Sequence, residues 1–597
     1  LTDKIVRIGG ASAFAIDSAL SVPQLLTVPR LDYLIFDYLA EGSMGMMGRA
    51  AQANPEAGFG SDFLDVHVGP HLAEILGKKV RVIANAGGVN PQALADALAR
   101  QARAAGFSPR IGVVAGDDLR GRLDEIRMSA PADMFSGAAF PDKILSANAY
   151  LGAFPIARLL DEGADIVITG RVVDSAVVLG ALIHEFGWGP DDLDLMAAGT
   201  TAGHLLECGA QVTGGTFTDW QDVPGWADIG FPVGECHADG SIVITKPEGT
   251  GGLVSVGTVA EQMLYEVSDP QAYYVPDVTC DFSAVKLEQV GPNRVRVSGA
   301  KGHPPTDSYK VCVTYDTGWR GVVCQPVVGI DAPAKAARQA DALFERGRRM
   351  LRDRNLPDFR ATHYVPIGVE AEYGARARAV PSREVIAKMV VEHDDKLPVD
   401  LFIREQHMAI SAMSQGTTLN LAAYAMPTTG LFSFLIDKNA VAPVISLDGR
   451  ALPAAGAVLG GFTLSSLDRP GGPVATVDGN ETVRLIDLAW GRSGDKGELF
   501  NVAVIAREAR YLPYIRAALT ADAVAGWFVH LFEGAEPCVD RYDLPGCSAL
   551  NFVLHGALPG GINASPRLDP VGKTMAQQLM EFPIPVDPAI AATVRGG

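Results

Sequence analysis

The stretch Ala164-Asp-Ile-Val-Ile-Thr-Gly-Arg-Val-Val-Asp-Ser-Ala-Val-Val-Leu-Gly180 decides how the fold is read. Ile166, Val167 and Ile168 form a short apolar run suited to a strand buried on both faces. Thr169 and Gly170 then turn the backbone, and residues 172–183 continue with apolar side chains at helical spacing. The first N–H groups of such a helix have no intrahelical partner and point outward beside Arg171 and Asp174. In an open α/β sheet ligands bind just there, beyond the carboxyl ends of the strands. An ordinary turn in which Arg171 and Asp174 pair with each other fits the same residues.

Outward from this unit, four earlier runs read as strands: Ile5-Val-Arg-Ile8, Tyr33-Leu-Ile-Phe36, Val80-Arg-Val-Ile-Ala84 and Ile111-Gly-Val-Val114. Alanine-rich helical segments such as 93–105 separate them. The alternation predicts an α/β domain over 1–240, a mainly parallel, Rossmann-like sheet with helices on both faces. Small and polar residues follow each strand: Gly9-Gly10, Asp37 with Glu41-Gly-Ser-Met-Gly45, Asn85-Ala-Gly-Gly-Val-Asn90, and Asp117-Asp118. Glycine turns let backbone N–H groups approach an anion closely. Asn85, Gly87, Gly88 and Asn90, together with Thr169, Gly170, Arg171 and Asp174, are therefore candidate substrate-binding residues. No Gly-Lys-Ser/Thr loop and no G-x-G-x-x-G fingerprint is present, which speaks against ATP and NAD.

A second block, Gly203-His-Leu-Leu-Glu-Cys-Gly-Ala-Gln-Val-Thr-Gly-Gly215, sets His204, Glu207 and Cys208 within one helical turn or a compact loop. His and Glu three residues apart share a helix face. They suit proton transfer, a metal, or a Cys–His nucleophile. No second cluster supplies further ligands at a recognisable spacing, so no metal is expected. Gly214 and Gly215 join the candidate binding residues. Next, Ile242-Val-Ile-Thr245 reads as a strand ending in Lys246-Pro-Glu-Gly-Thr-Gly-Gly252. Lys246 beside Thr250, Gly251 and Gly252 at a helix start reads as an anion clamp or as a solvated lysine.

Residues 241–450 read as an α+β part of the same core, with strand-like alternation over 284–328 and an amphipathic helix over 333–351. The Gly-, Pro- and Ala-dense stretch 451–480 reads as a linker. A small domain follows over 481–597. Its Gly491-Arg-Ser-Gly-Asp-Lys-Gly497 reads as a polar loop between strands, making Arg492, Asp495 and Lys496 candidate binding residues, or as a charged hairpin.

Composition narrows the function classes. Net charge −19 argues against nucleic acid or an anionic membrane as the main partner. Seven scattered cysteines without a C-x-x-C pair suit free thiols in a reducing cytoplasm. No stretch reaches the ~18 apolar residues of a membrane span, and the opening Leu1-Thr-Asp-Lys-Ile-Val-Arg-Ile runs directly into a strand, without a signal-peptide pattern.

The chain resembles the acyclic terpene utilisation (AtuA) family. The likeness is carried by Ile83-Ala-Asn-Ala-Gly-Gly-Val-Asn-Pro91, Ile168-Thr-Gly-Arg-Val-Val-Asp174, the 203–215 block, Thr245-Lys-Pro-Glu-Gly-Thr-Gly-Gly252 and Gly491-Arg-Ser-Gly-Asp-Lys-Gly497. Family members often continue the last motif with Asp-Asp-Ala-Asn, where this chain has Glu498-Leu-Phe-Asn501. The resemblance implies a small C-terminal domain of ferredoxin-like fold. It also implies a place in the breakdown of branched isoprenoid acids handled as coenzyme A thioesters. No further cofactor is expected.

The leading expectation is a lyase or hydro-lyase on an acyl-CoA or related anion, with His204, Glu207 and Lys246 as catalytic groups. The alternatives are a non-catalytic partner of an acyl-CoA carboxylase and a Cys208/His204 thioester hydrolase. Homo-oligomerisation stays open.

Overall fold

The computed structural model describes residues 4–378, 382–453, 456–469 and 481–595. Its organising element is a mixed sheet. Five strands at its centre run parallel, in the spatial order β1 (Ile5–Ser12), β2 (Tyr33–Phe36), β3 (Arg81–Ala84), β6 (Ile166–Thr169) and β4 (Ile111–Ala115). The strand β5 (Ile144–Ala149) leaves this sheet for another. Period-two alternation serves two cores at once. Tyr33 and Ile35 face one with the helices Phe154–Asp161, Ala176–Phe186 and Leu193–Leu206, while Leu34 and Phe36 face the other with Pro91–Ala104. Strands buried on both sides read as continuous apolar runs for this reason.

The expectation of a mainly parallel sheet needs correction. Eleven strands form it among the described residues, and those flanking the parallel centre are antiparallel. On one edge the hairpin β7 (Val233–His237) and β8 (Ile242–Thr245) pairs with β1, followed by Arg294–Ser298 and Lys286–Gly291. On the other edge Val444–Leu447 pairs with β4. The hairpin straddles residues 240 and 241, so the first two sequence-drawn parts share one sheet. A short hairpin connection imposes antiparallel pairing, whereas only a helical crossover brings a strand back parallel.

A second sheet is built on the 21-residue strand Ser308–Val328. It pairs with Ala422–Asp437 on one side, and with β5 and then Glu384–His393 on the other. The helices Ala332–Arg352 and Lys396–Glu405 cover it. The small C-terminal domain has four antiparallel strands in the order Ala489–Lys496, Leu499–Ala506, Ala549–His555, Cys538–Leu544. One face holds its own core around Phe500, Phe528 and Phe552, and the other sends Ala503, Ile505 and Leu544 into the main core. The domain is thus a built-in wall. Its motif Gly491–Lys496 is not a loop, since every residue pairs with Leu499–Val504 across a turn at Gly497 and Glu498. Of the expected linker, residues 454–455 and 470–480 lie outside the described residues. The described part is tied down by Arg469 to Asp269 at 2.7 Å and by Gly460 N–H to Asp307 at 2.9 Å.

β1 crosses the end of the helix Leu193–Leu206 without room to spare. A Cβ on Gly10 would stand 2.3 Å from the Leu206 carbonyl oxygen. Gly10→Ala is expected to cost about 1–3 kcal/mol through overpacking, read as a lower thermal midpoint in calorimetry. An unchanged midpoint would show that the two elements separate freely.

Candidate functional site

The carboxyl ends of the parallel strands open onto a cavity of about 1980 Å³ walled by both sheets and the small domain. Its floor is charged. After β2 come Asp37 and, at the start of the helix Glu41–Ala53, Glu41. Arg171 and Asp174 follow β6, and Glu207 and Cys208 end the helix Leu193–Leu206. Tyr265 and Glu266 follow the helix Val256–Met263, and Asp495 and Lys496 close a strand of the small domain. The rim is apolar, with Phe14, Met46, Phe135 and Leu435 lining the cavity while exposed to solvent.

Arg171 organises the floor. Its backbone N–H donates to Asp117 at 2.8 Å, and its guanidinium pairs with Asp174 at 2.5 Å and lies 4.1 Å from the Tyr150 ring centroid. Tyr150 in turn donates to Glu41 at 2.9 Å, and Lys310 stands 3.8 Å from the same carboxylate. Burial works against the Glu41 charge, but Lys310, Arg171 and Lys496 overcome it and hold the carboxyl down at about 2. Asp37 shows the opposite balance. Burial, then Asp174 and Glu207, push it well above the carboxylate range, while Asn85 donates to it at 2.6 Å. Burial, then Glu266 and Glu41, raise Asp495 to about 7. Burial likewise raises Glu207. Lys496 is opposed by burial but pairs with Glu266 at 3.3 Å, and the surrounding carboxylates keep it well above its ordinary range. The floor thus mixes fixed cations with carboxyl groups that keep protons near neutrality, a set suited to acid–base chemistry beside an oxyanion.

Of the residues expected from sequence, Arg171, Asp174, Glu207, Asp495 and Lys496 line this cavity. Two others stand behind it. Asn85 accepts from Tyr38 N–H at 2.6 Å while donating to Asp37, so it orients that carboxyl. His204 meets Glu207 at 3.2 Å through Nδ1 and is buried against Tyr273 and Phe282, with its Nε2 unpartnered among the described residues. Arg492 also stays behind the wall. It donates to Gln211 and Thr216, and its guanidinium lies 4.4 Å from the Tyr265 ring centroid.

The glycines are close-approach positions, but protein fills them. Gly87 abuts Pro91 and the Thr169 carbonyl, and Gly88 abuts the Gly58 carbonyl. A Cβ on Gly170 would stand 2.3 Å from Asp117. Thr169 donates to the Gly170 carbonyl, and Asn90 caps its helix while bonding Pro55 and Ala57. Gly214 and Gly215 shape a turn against Val223 and Ala210.

Lys246 does not reach the cleft. Its ammonium donates to the Thr250 carbonyl at 2.6 Å, and Gly251 and Gly252 donate to Asp228 and Pro224, which closes that loop on itself. Nor is Cys208 poised as a nucleophile. Burial, then Glu207, Glu266 and Asp37, push its thiol well up, and the His204 Nδ1 faces Glu207 instead.

Sequence reasoning passed over Asp37 and Glu41 as individual residues, although both follow a strand at the rim. Tyr150 and Lys310 carried no local signal, because only the pairing of β5 with Ser308–Val328 brings them to the floor.

The family model of the acyclic terpene utilisation family protein AtuA matches residues 6–447, and that of the AtuA ferredoxin-like domain matches 483–585. The chain belongs to the AtuA family. No curated protein and no solved structure matches it. Both AtuA family segments contribute to the floor, Arg171 and Glu207 from the first and Asp495 and Lys496 from the second. Among the described residues, no helix is long and apolar enough to cross a membrane.

Proposed function

We propose that this AtuA family protein is a hydro-lyase or carbon–carbon lyase acting on a branched, acyclic acyl-CoA or a related anion. One observation carries the reading: the cations Arg171 and Lys496 share the cavity floor with the proton-retaining carboxyls of Asp37 and Asp495. A cavity of about 1980 Å³ also exceeds the roughly 300–1,000 Å³ of ordinary small-molecule pockets, which suits a substrate of thioester size. The apolar rim suits hydrocarbon.

In this reading Asp174 takes the proton α to the substrate carbonyl. Arg171 and Lys496 hold the resulting enolate oxygen, as fixed positive groups do for developing charge. The enolate electrons return to form a carbon–carbon double bond as the β-hydroxyl leaves, and Asp495 supplies the proton that releases it as water. Hydration is the reverse. Carbon–carbon cleavage uses the same enolate site, with the base taking the β-hydroxyl proton instead.

Incubation with geranyl-, citronellyl- and 3-hydroxy-3-methylglutaryl-type CoA esters, followed by mass spectrometry, tests the proposal. The expected result is gain or loss of one water, or appearance of a shorter thioester, with at least one of them. Unchanged masses with all, under conditions where a hydratase control turns over, would remove the acyl-CoA reading.

A further inference from the structure

The corner that carries Tyr265 and Glu266 into the cavity is held in a conformation its own residues do not favour. Glu266 has φ +57°, in the left-handed region that a glutamate rarely occupies. Such backbone persists only where the surroundings over-determine it. Here those surroundings belong to the small domain.

Asn501 and Asn551 sit on adjacent strands, offset by two positions, and both are buried. Asn501 donates to the Leu264 carbonyl at 2.8 Å and to the Asn551 side-chain oxygen at 2.8 Å. Asn551 donates to the Val267 carbonyl at 2.8 Å and to the Ser268 carbonyl at 2.7 Å. The two side-chain amides thereby spend every N–H they have, three on carbonyls of one turn and one on each other. The Asn501 oxygen is left buried without a partner among the described residues, a cost that an apolar pair would avoid. Opposite Asn501 in the sheet register stands Gly494, where a Cβ would lie 2.4 Å from the Tyr265 ring and 2.7 Å from Glu266 Cγ. Two residues further along that strand, Lys496 meets the Glu266 carboxylate at 3.3 Å. Amides, a missing side chain and a cation of one small sheet thus all fit the same five-residue corner.

We infer that Asn501 and Asn551 are positioning residues, which hold the turn 264–268 so that Glu266 faces Lys496 and Tyr265 faces the cavity floor. The inference rests on reading this cavity as the functional site, but its first two measurements need no substrate. In Asn551→Leu the amides of 264–268 are expected to exchange with solvent about tenfold faster, while the core strands 499–506 and 549–555 keep their protection. Cys208 is expected to be alkylated by iodoacetamide severalfold faster, because burial, then the charges of Glu207 and Glu266, raise its thiol, and a loosened corner relieves the burial and moves Glu266. Gly494→Ala, which presses on the same corner from the neighbouring strand, is expected to reproduce both changes and serves where the first variant does not fold. With any thioester found to turn over, kcat should fall about tenfold or more and KM should change little. Unchanged exchange at 264–268 and unchanged Cys208 reactivity in both folded variants would overturn the positioning role. Failure of every thioester to react, with both local changes present, would instead remove only the catalytic reading of the cavity.

Discussion

Replacement of Arg171 by methionine is expected to abolish turnover and to destabilise the fold by an amount that grows with pH. Arg171 is 3% exposed and its guanidinium faces Asp174, Glu41 and Asp37, so its removal leaves carboxylates together without their central cation. Breaking a buried ion pair from one side costs about 3–5 kcal/mol. The carboxyls can relieve part of this by binding protons, which fixes the sign of the pH dependence. Glu41 is held at about 2, below its ordinary value of 4.5. Its ionised form therefore stabilises the native state above the unfolded value, and that contribution is lost as pH falls through about 2. Without Arg171 the folded value of Glu41 rises and the contribution shrinks. Calorimetry should show the gap between parent and variant widest near about pH 8 and narrowing below about pH 4, where the unfolded carboxyl is protonated. An equal gap at both ends would mean that packing against Tyr150, rather than charge, is what Arg171 supplies.

Asp495→Asn should separate activity from stability. If Asp495 is the proton donor, kcat/KM of the parent falls as pH rises through about 7, where its carboxyl loses the proton. The amide cannot donate an acidic proton, and a loss of about 10²–10⁴-fold is expected. Stability should move the other way. A carboxyl raised from 3.8 to about 7 on folding contributes stability below the lower value and loses it as pH rises through the higher one. Asparagine carries no such loss, so above about pH 7 the variant should melt at a higher temperature than the parent. Turnover that survives the substitution would transfer the donor role to Asp37.

What could be read from sequence follows the range of the interactions. Strands β1, β2, β3, β4 and β6 were legible because a double-faced burial leaves a mostly apolar run of a few consecutive residues, interrupted by Arg7 in β1 and Arg81 in β3. Arg171 and Asp174 were legible because a strand-to-helix junction places its polar residues at the rim, and Glu207 because it stands three residues from His204 on one helix face. The antiparallel flanks were not, since β7 and β8 look like any short apolar run until the partner strand is known. Lys246 misled for a related reason: a lysine beside a Thr-Gly-Gly turn looks the same whether it waits for an anion or is spent on its own loop carbonyl. The motif of Asp495 and Lys496 reads from sequence as a polar loop or as a charged hairpin, and the structure has the hairpin, with Gly494 making room for Tyr265. Tyr150 and Lys310 depended on β5 crossing to the second sheet, a choice made by contacts far away along the chain.

That the floor draws one wall from Asp37 and another from Lys496 has a consequence during synthesis. A ribosome finishes the parallel strands and the Arg171 junction hundreds of residues before it makes the small domain. Until the last strands emerge, Glu266 has no lysine to meet and its turn has no asparagines to grip it. A nascent chain that lacks residues 481–595 therefore has an open floor, and the charged wall of Asp495 and Lys496 closes it only once the small domain has been made.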